Sequence, residues 1–299
     1  MAVIEVEGLC KDYGALRAVD DVSFTVEQGE VLALLGPNGA GKTTTVEILE
    51  GYRDRSGGRV SVLGYDPAQG RRAYRERIGI VLQSAGFEED FTVRETARLH
   101  ARLYPRVHDP DQVLELVGLA DKSRARIKTL SGGQRRRLDL ALGLIGCPEV
   151  LFLDEPTTGF DPSARHRAWD LVAGLRKLGT TILLTTHYIE EAQRLADRVA
   201  VLRGGRLLVT GRPDALTTDA GSVLRFRLPT GLASADLPRL DGHLAVVGDV
   251  VEFRTTSPTR DANALTGWAL DHGVDLPDLT LTRPSLEDVY LRLVEEGTR

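Results

Sequence analysis

Hydrophobic and polar residues alternate from Val3 to Leu9 and again from Val22 to Val26, the period of two that predicts half-buried strands. Val31 to Leu35 and Val150 to Leu153 are apolar at every position, which predicts strands covered on both faces. Thr181 to Thr186 reads as another buried strand, and Arg59 to Gly64, Ile78 to Leu82, Arg198 to Leu202 and Arg206 to Val209 as further ones. Between these runs the period changes. Val46, Ile48 and Leu49 are spaced as on a helix that opens at Gly41, and from Val93 to Leu119 the pattern is helical without any strand signal. Thr92 or Asp111 would cap that segment, and Pro105 and Pro110 bracket a loop inside it. Ser131 would cap a helix whose apolar face is Leu138, Ala141, Leu142 and Ile145, and another helix begins near Ser163. Strands alternating with helices predict an α/β sheet that carries a helical insert at about 84–146.

The pattern continues past residue 215. Val223 to Leu228 and Val250 to Arg254 alternate, Ala262 to His272 is helical, and Leu279 to Thr282 is a strand candidate. Ser285 with Asp288 three residues later forms a variant capping box, and Leu286, Val289, Tyr290, Leu293 and Val294 fall on one stripe. The simplest reading is a small α+β domain over 216–299 that follows a first domain over 1–215.

Bulk numbers narrow the function. With 299 residues, both domains can bury a core, and a net charge of −5 argues against a mainly electrostatic nucleic-acid binder. Cys10 and Cys147 lie far apart and outside metal-ligand spacing, so a reduced, cytoplasmic setting is expected. Met1-Ala2-Val3-Ile4-Glu5 has no basic region leading into an apolar core, so no secretory signal is expected. Nowhere do about 18 apolar residues run together. Any work at a membrane would then go through a partner chain.

The chemistry concentrates at predicted strand ends. Gly36-Pro37-Asn38-Gly39-Ala40-Gly41-Lys42-Thr43-Thr44 stands between a strand and a helix, the context a phosphate-binding loop requires. Its glycines let backbone N–H groups turn around an anion, and the helix start adds its positive dipole end. Lys42 would reach the β and γ phosphates, and the Thr43 hydroxyl would ligate Mg²⁺. The strand at 150–153 runs into Asp154-Glu155-Pro156, and two carboxylates at the end of a doubly buried strand need a reason. Asp154 would hold Mg²⁺ and Glu155 would orient or deprotonate water. Leu130-Ser131-Gly132-Gly133-Gln134 forms a second helix start whose N–H groups face an approaching anion. Arg135, Arg136 and Arg137 read as a solvated or interface face rather than as phosphate ligands. Three single residues stay open on chemistry alone. Tyr13 either stacks on a base or packs at the surface, Gln83 is either a site amide or a surface residue, and His187 either bonds a γ phosphate or is structural.

Taken in order, these segments resemble the ATP-binding-cassette ATPases. Residues 36–44 look like the Walker A loop, Gln83 like the Q-loop residue, 130–134 like the LSGGQ signature, and Leu151 to Pro156 like the Walker B strand. Asp161 is similar to the D-loop aspartate, His187 to the switch histidine and Tyr13 to the base-stacking aromatic; Phe160 departs from the usual Leu of that turn. The resemblance covers about 1–215. It implies a P-loop NTPase cassette of the α/β class, with a mixed sheet core, an antiparallel β lobe and an α-helical subdomain. It also implies ATP and Mg²⁺ as ligands, and catalytic roles for Lys42, Gln83, Glu155 and His187. Nucleotide contacts would come from Tyr13, Gly36, Pro37, Asn38, Gly39, Ala40, Gly41, Lys42, Thr43, Thr44 and Asp161, and metal contacts from Thr43, Gln83 and Asp154. Two copies would dock head to tail so that Ser131, Gly132, Gly133 and Gln134 of one cap the γ phosphate held by the other.

The tail, including Arg283 to Tyr290, looks like the C-terminal extension of daunorubicin-resistance-type exporter ATPases. That implies a role in pairing with the second cassette or with the permease, a regulatory ligand site being the other reading. The expected function is thus the ATPase subunit of a drug or small-molecule exporter, a homodimer on the inner face of the membrane through an integral membrane permease, with no nucleic acid. A soluble cassette ATPase acting on ribosomes or DNA is the alternative, opposed by the acidic balance and the single cassette. A scaffold with degenerate catalysis is opposed by Glu155 and His187.

Overall fold

The computed structural model describes residues 1–82, 86–177, 179–219, 221–229, 231–240 and 242–296. These fall into two compact units, 1–212 and 213–299. In the first, an antiparallel hairpin of β1 (Ala2–Tyr13) and β2 (Leu16–Glu27) is joined by β4 (Gly57–Val62) into a three-stranded sheet. The alternation seen in the sequence is its buried face, with Ile4, Val6, Val22, Phe24 and Val26 all inside. The hairpin is longer than the periodic stretches, because strand pairing reaches Tyr13 opposite Leu16 where no alternation marks it.

The central sheet has six strands in the order β5-β6-β7-β3-β8-β9. They are β3 (Val31–Leu35), β5 (Ile78–Val81), β6 (Val150–Asp154), β7 (Thr181–Thr186), β8 (Arg198–Arg203) and β9 (Arg206–Gly211). All neighbours are parallel except β8 and β9. Residues 31–35, 150–154 and 181–186 are buried throughout, as their lack of alternation requires. Helices α1 (Lys42–Glu50), α2 (Arg72–Arg75), α6 (Pro162–Lys177) and α7 (Ile189–Leu195) complete this body. No helix among the described residues is long and apolar enough to cross a membrane.

The insert holds α3 (Val93–Ala101), α4 (Pro110–Leu116) and α5 (Gly132–Ile145), which pack on one another. Thr92 caps α3 in a full capping box with Glu95. Asp109, not Asp111, caps α4, because Pro110 fits the first helical position and puts the cap one residue ahead of it. Helix α5 also lies on β5, and this close approach needs glycine. A Cβ on Gly79 would stand 2.1 Å from the Gly143 carbonyl oxygen.

In the second unit, α8 (Pro213–Asp219) precedes an antiparallel sheet ordered β11-β12-β10-β13. Its strands are β10 (Ser222–Arg227), β11 (Gly242–Val247), β12 (Val250–Thr255) and β13 (Thr280–Thr282). Helix α9 (Pro258–Asp271) covers the sheet, with Phe226, Val251, Leu265, Ala269 and Leu276 as the core. In α10 (Leu286–Glu296), Leu286 and Val289 are buried, while the Val294 side chain lies outside the described residues. Ser285 and Asp288 form the reciprocal cap, with the Ser285 N–H donating to Asp288 at 2.7 Å and the Asp288 N–H to Ser285 Oγ at 3.1 Å. Strand β11 escaped the sequence reading. All six of its residues are exposed, so only its pairing with β12 defines it.

Candidate active site

Parallel register brings the strand ends together. Leu34 lies opposite Thr185 and Thr185 opposite Asp154, so Gly36, Thr186 and Glu155 leave the sheet at one edge. That edge is the carboxyl end of the strands, where open α/β sheets bind ligands.

The loop from Gly36 to Gly41 crosses this edge and exposes Pro37, Asn38 and Gly39. Gly41 adopts φ 95°, a left-handed conformation natural to glycine, and a Cβ there would come within 2.6 Å of the Ala18 carbonyl oxygen. It is the N-cap of α1, and no side chain caps the helix. The first-turn N–H groups therefore have no side-chain cap, which, with the helix dipole, suits them to an anion. Lys42 is 4 % exposed, and its Nζ donates to the carbonyls of Gly36 (2.9 Å) and Pro37 (3.2 Å) and lies 3.5 Å from Glu155 Oε1.

The carboxylate pair is held from behind. Thr185 Oγ1 donates to Asp154 Oδ1 at 2.5 Å and accepts from the Glu155 N–H at 2.9 Å. Glu155 has φ 46°, a left-handed backbone that costs a non-glycine residue about 1–3 kcal/mol, and the Thr185 hydroxyl is one group that fixes it. Thr43 Oγ1 lies 3.3 and 3.4 Å from the two Asp154 oxygens. Thr158 Oγ1 donates to Glu155 Oε2 at 3.1 Å, and His187 Nδ1 is 3.4 Å from Glu155 Oε1. The turn after Glu155 is anchored through buried Glu191, whose Oε1 accepts from Thr157 Oγ1 (2.8 Å) and Trp169 Nε1 (2.9 Å).

Burial pushes the Asp154 carboxyl above its ordinary value, only partly offset by the Thr185 and Thr43 hydroxyls. Burial also pushes Glu155 upward, but the Lys42 ammonium, the Thr158 hydroxyl and His187 together outweigh it, so its pKa lies below the ordinary glutamate value. Two adjacent acids thus differ in character. Glu155 is a stably ionised acceptor, and Asp154 gains from a cation brought beside it. Among the described residues, no group of three or more His, Cys, Asp and Glu side chains could hold a metal ion. The oxygen pair of Thr43 and Asp154 fits a hard divalent cation that takes its remaining ligands from phosphate and water.

The structure gathers Gly36, Pro37, Lys42, Thr43, Asp154, Glu155 and His187 into one cluster. Asn38, Gly39, Ala40 and Thr44 belong to the same loop and helix start. Gln83 lies outside the described residues. No hydrogen bond or ion pair among the described residues joins Ser131 or Gln134 to the phosphate loop. Ser131 instead caps α5, accepting from Gln134 N at 3.3 Å while Gln134 Oε1 accepts from Ser131 N at 2.9 Å. Gly132 is exposed beside it. Asp161 accepts from Ala164 N at 2.8 Å at the start of α6. Tyr13 is 39 % exposed, with Lys11 Nζ 5.1 Å and the Arg53 guanidinium 5.3 Å from its ring centre, a cation–π arrangement that presents the aromatic ring at the surface.

Sequence reasoning missed Thr185, Thr158 and Glu191. The usable signal for Thr185 was a hydroxyl in a doubly buried strand, which must find a partner. Arg136 overturns an expectation: it is not on a solvated face but only 12 % exposed, turned inward onto backbone carbonyls of the carboxylate turn.

Residues 19–158 match the family profile described as ABC transporter, and residues 222–285 match an ABC transporter domain-containing protein-like C-terminal domain. The chain is 41 % identical over 311 residues to a daunorubicin resistance ATP-binding protein of Streptomyces coeruleorubidus, covering 99 % of this chain and 97 % of that one. It is 40 % identical over 301 residues to the Nod factor export ATP-binding protein I of Rhizobium johnstonii, covering 97 % and 94 %. Among solved structures, an ATP-binding subunit of an ABC transporter superposes with TM-score 0.66 at 29 % identity over 73 % of this chain and 92 % of its own.

Proposed function

Because the chain belongs to the ATP-binding-cassette transporter family and is an ATP-hydrolysing subunit of it, we propose that it powers export of a drug or other small hydrophobic compound through a separate membrane permease. What supports export is likeness over nearly the whole chain, tail included, to resistance and export ATP-binding proteins. A role on ribosomes or DNA finds no support in these relatives.

On this reading the backbone of 36–41 and the start of α1 cradle the β and γ phosphates, and Lys42 swings from the Gly36 and Pro37 carbonyls onto them. Thr43 and Asp154, with Gln83, would hold Mg²⁺, which would offset charge on those phosphates. Glu155 orients the attacking water and accepts its proton, while His187 at 3.4 Å steadies the carboxylate and faces the γ phosphate. Tyr13 stacks on the base, Asp161 and Gln83 line the seam, and the Ser131 to Gln134 helix start closes the site from a second copy docked head to tail. ATP would then be the glue between copies, and hydrolysis would release them. A groove of about 600 Å³ between β5 and the helical insert, lined by Tyr52, Leu82, Phe91, Leu99 and Tyr104, would receive the membrane partner and place the cassette on the inner face of the membrane. The tail would support pairing of the cassettes or contact with the permease.

The observation that carries this mechanism is Glu155, kept ionised within reach of Lys42 and His187 at the edge that bears the phosphate loop. Glu155→Gln should retain ATP binding and lower turnover by about 10²- to 10⁴-fold. Unchanged turnover would show that another group handles the water.

A further inference from the structure

One cation ties together three segments that the sequence treats separately. Arg136 projects from the second turn of α5, and its guanidinium meets four carbonyl oxygens and one carboxylate. Nε donates to Pro156 O at 3.1 Å, Nη2 to Asp154 O at 2.7 Å and Glu155 O at 3.2 Å, and Nη1 to Leu82 O and to Asp139 Oδ2 at 3.0 Å. Its side chain is 12 % exposed and that of Asp139 10 %. Burying a guanidinium this deeply is unfavourable unless its donors are matched, and here the planar fork spans acceptors on two different strand ends.

The location of those acceptors matters more than their number. Asp154, Glu155 and Pro156 form the turn that aims the carboxylates, with Glu155 in a left-handed conformation that its surroundings must enforce. Leu82 directly follows β5 and precedes Gln83. Asp139 lines the groove between β5 and the helical insert. Ser131, five residues before Arg136, starts the same helix at its anion-facing end, about 7 Å away along the axis.

We propose that Arg136 is a positioning residue for ATP hydrolysis, gripping the 154–156 turn and the end of β5 so that the placement of the Glu155 carboxylate depends on where α5 sits. This rests on the reading of Glu155 as the residue that orients water. A lysine cannot replace the fork, because a single ammonium cannot reach carbonyls spread over two strands. Movement of α5, whether from an anion at Ser131 or a partner in the groove beside Asp139, is carried to the carboxylate through this grip.

The test uses the full chain and separates binding from turnover. ATP affinity is measured by equilibrium binding with Mg²⁺ chelated, and hydrolysis by single-turnover release of labelled phosphate. Arg136→Met should lower the hydrolysis rate by about 10²-fold, the scale of a misplaced catalytic group, with ATP affinity within about threefold. Arg136→Lys should stay low despite keeping the charge. In a Glu155→Gln background, Arg136→Met should cause no further loss, since it acts through the group already removed. Full turnover in either Arg136 variant overturns the proposal, and so does an equal further loss on top of Glu155→Gln. Should Arg136→Met fail to fold, the lysine variant decides by the same two measurements. Glu155→Gln at full rate would instead overturn the water assignment and the route through it. Normal rates in the Arg136 variants alone would leave that assignment standing.

Discussion

Thr185 offers the sharpest test of how the carboxylate turn is held. Its side chain is 0 % exposed, and its one hydroxyl serves the Asp154 carboxylate and the Glu155 N–H together. Thr185→Val keeps the shape and removes both bonds. The Glu155 N–H then loses that acceptor, costing about 1–3 kcal/mol, and Asp154 loses a charge-assisted donor worth about 1.5–3 kcal/mol. The two losses share a site and do not add fully, so about 2–4 kcal/mol is expected, a large part of an ordinary folding free energy. The loss should also depend on pH. Asp154 is already above its ordinary value through burial, and Thr185 is the first of the groups opposing that rise. Without the hydroxyl the native carboxyl rises further, so the variant's native state holds its proton to higher pH than the parent's does, and the penalty grows as pH rises through the two native values, both of which lie above 3.8. Urea unfolding can follow the first unit alone if Trp268→Phe is placed in both chains, leaving buried Trp169 as the probe. The valine variant should show a lower midpoint at unchanged slope, a larger deficit at pH 7.5 than at pH 4, and hydrolysis reduced about tenfold or more. Thr185→Ser, which retains the hydroxyl, should restore most of the rate. A valine variant within about 0.5 kcal/mol of its parent and fully active would refute the claim that this hydroxyl holds the turn.

Other outcomes follow from the same geometry. Ser131→Arg should reduce hydrolysis by about 10²-fold or more while the isolated chain binds ATP nearly as before, checked by equilibrium dialysis; loss of both in parallel would contradict closure of the site by a second copy. Glu50, 4 % exposed, is pushed up to about 8 by burial first and by Asp154 and Glu47 second. Its native form stays protonated at neutral pH, so stability falls as pH rises from 4.5 towards 8. Glu50→Gln should therefore gain stability over the parent, by about 2 kcal/mol more at pH 8 than at pH 6, and a pH-independent difference would refute this. Ending the chain at Arg212 should leave ATP binding intact but impair export in a complementation assay; normal export would remove the tail from the coupling scheme.

The hydrophobic pattern was enough to find most strands and the chemistry-bearing loops, because burial on both faces writes itself as an unbroken apolar run and a phosphate loop needs glycine at fixed spacing. It also located the helix starts at Thr92, Ser131 and Ser285, since capping is a local affair of a few residues. It missed β11, which is wholly exposed and exists only through its partner strand. It placed the α4 cap two residues late, and it read Arg136 as a surface charge because a long polar side chain carries no mark of which way it turns.

What tertiary structure alone decided was the company each residue keeps. That Leu34, Thr185 and Asp154 lie abreast is a matter of strand order and register, set by contacts across 31 and more residues of chain. Register is what gives Thr185 its double duty, turns Arg136 onto the backbone of the carboxylate turn, and makes one of two neighbouring acids more acidic and the other less. Composition and spacing select the residue types a reaction needs. The field around each of them depends on which distant groups the fold packs beside it.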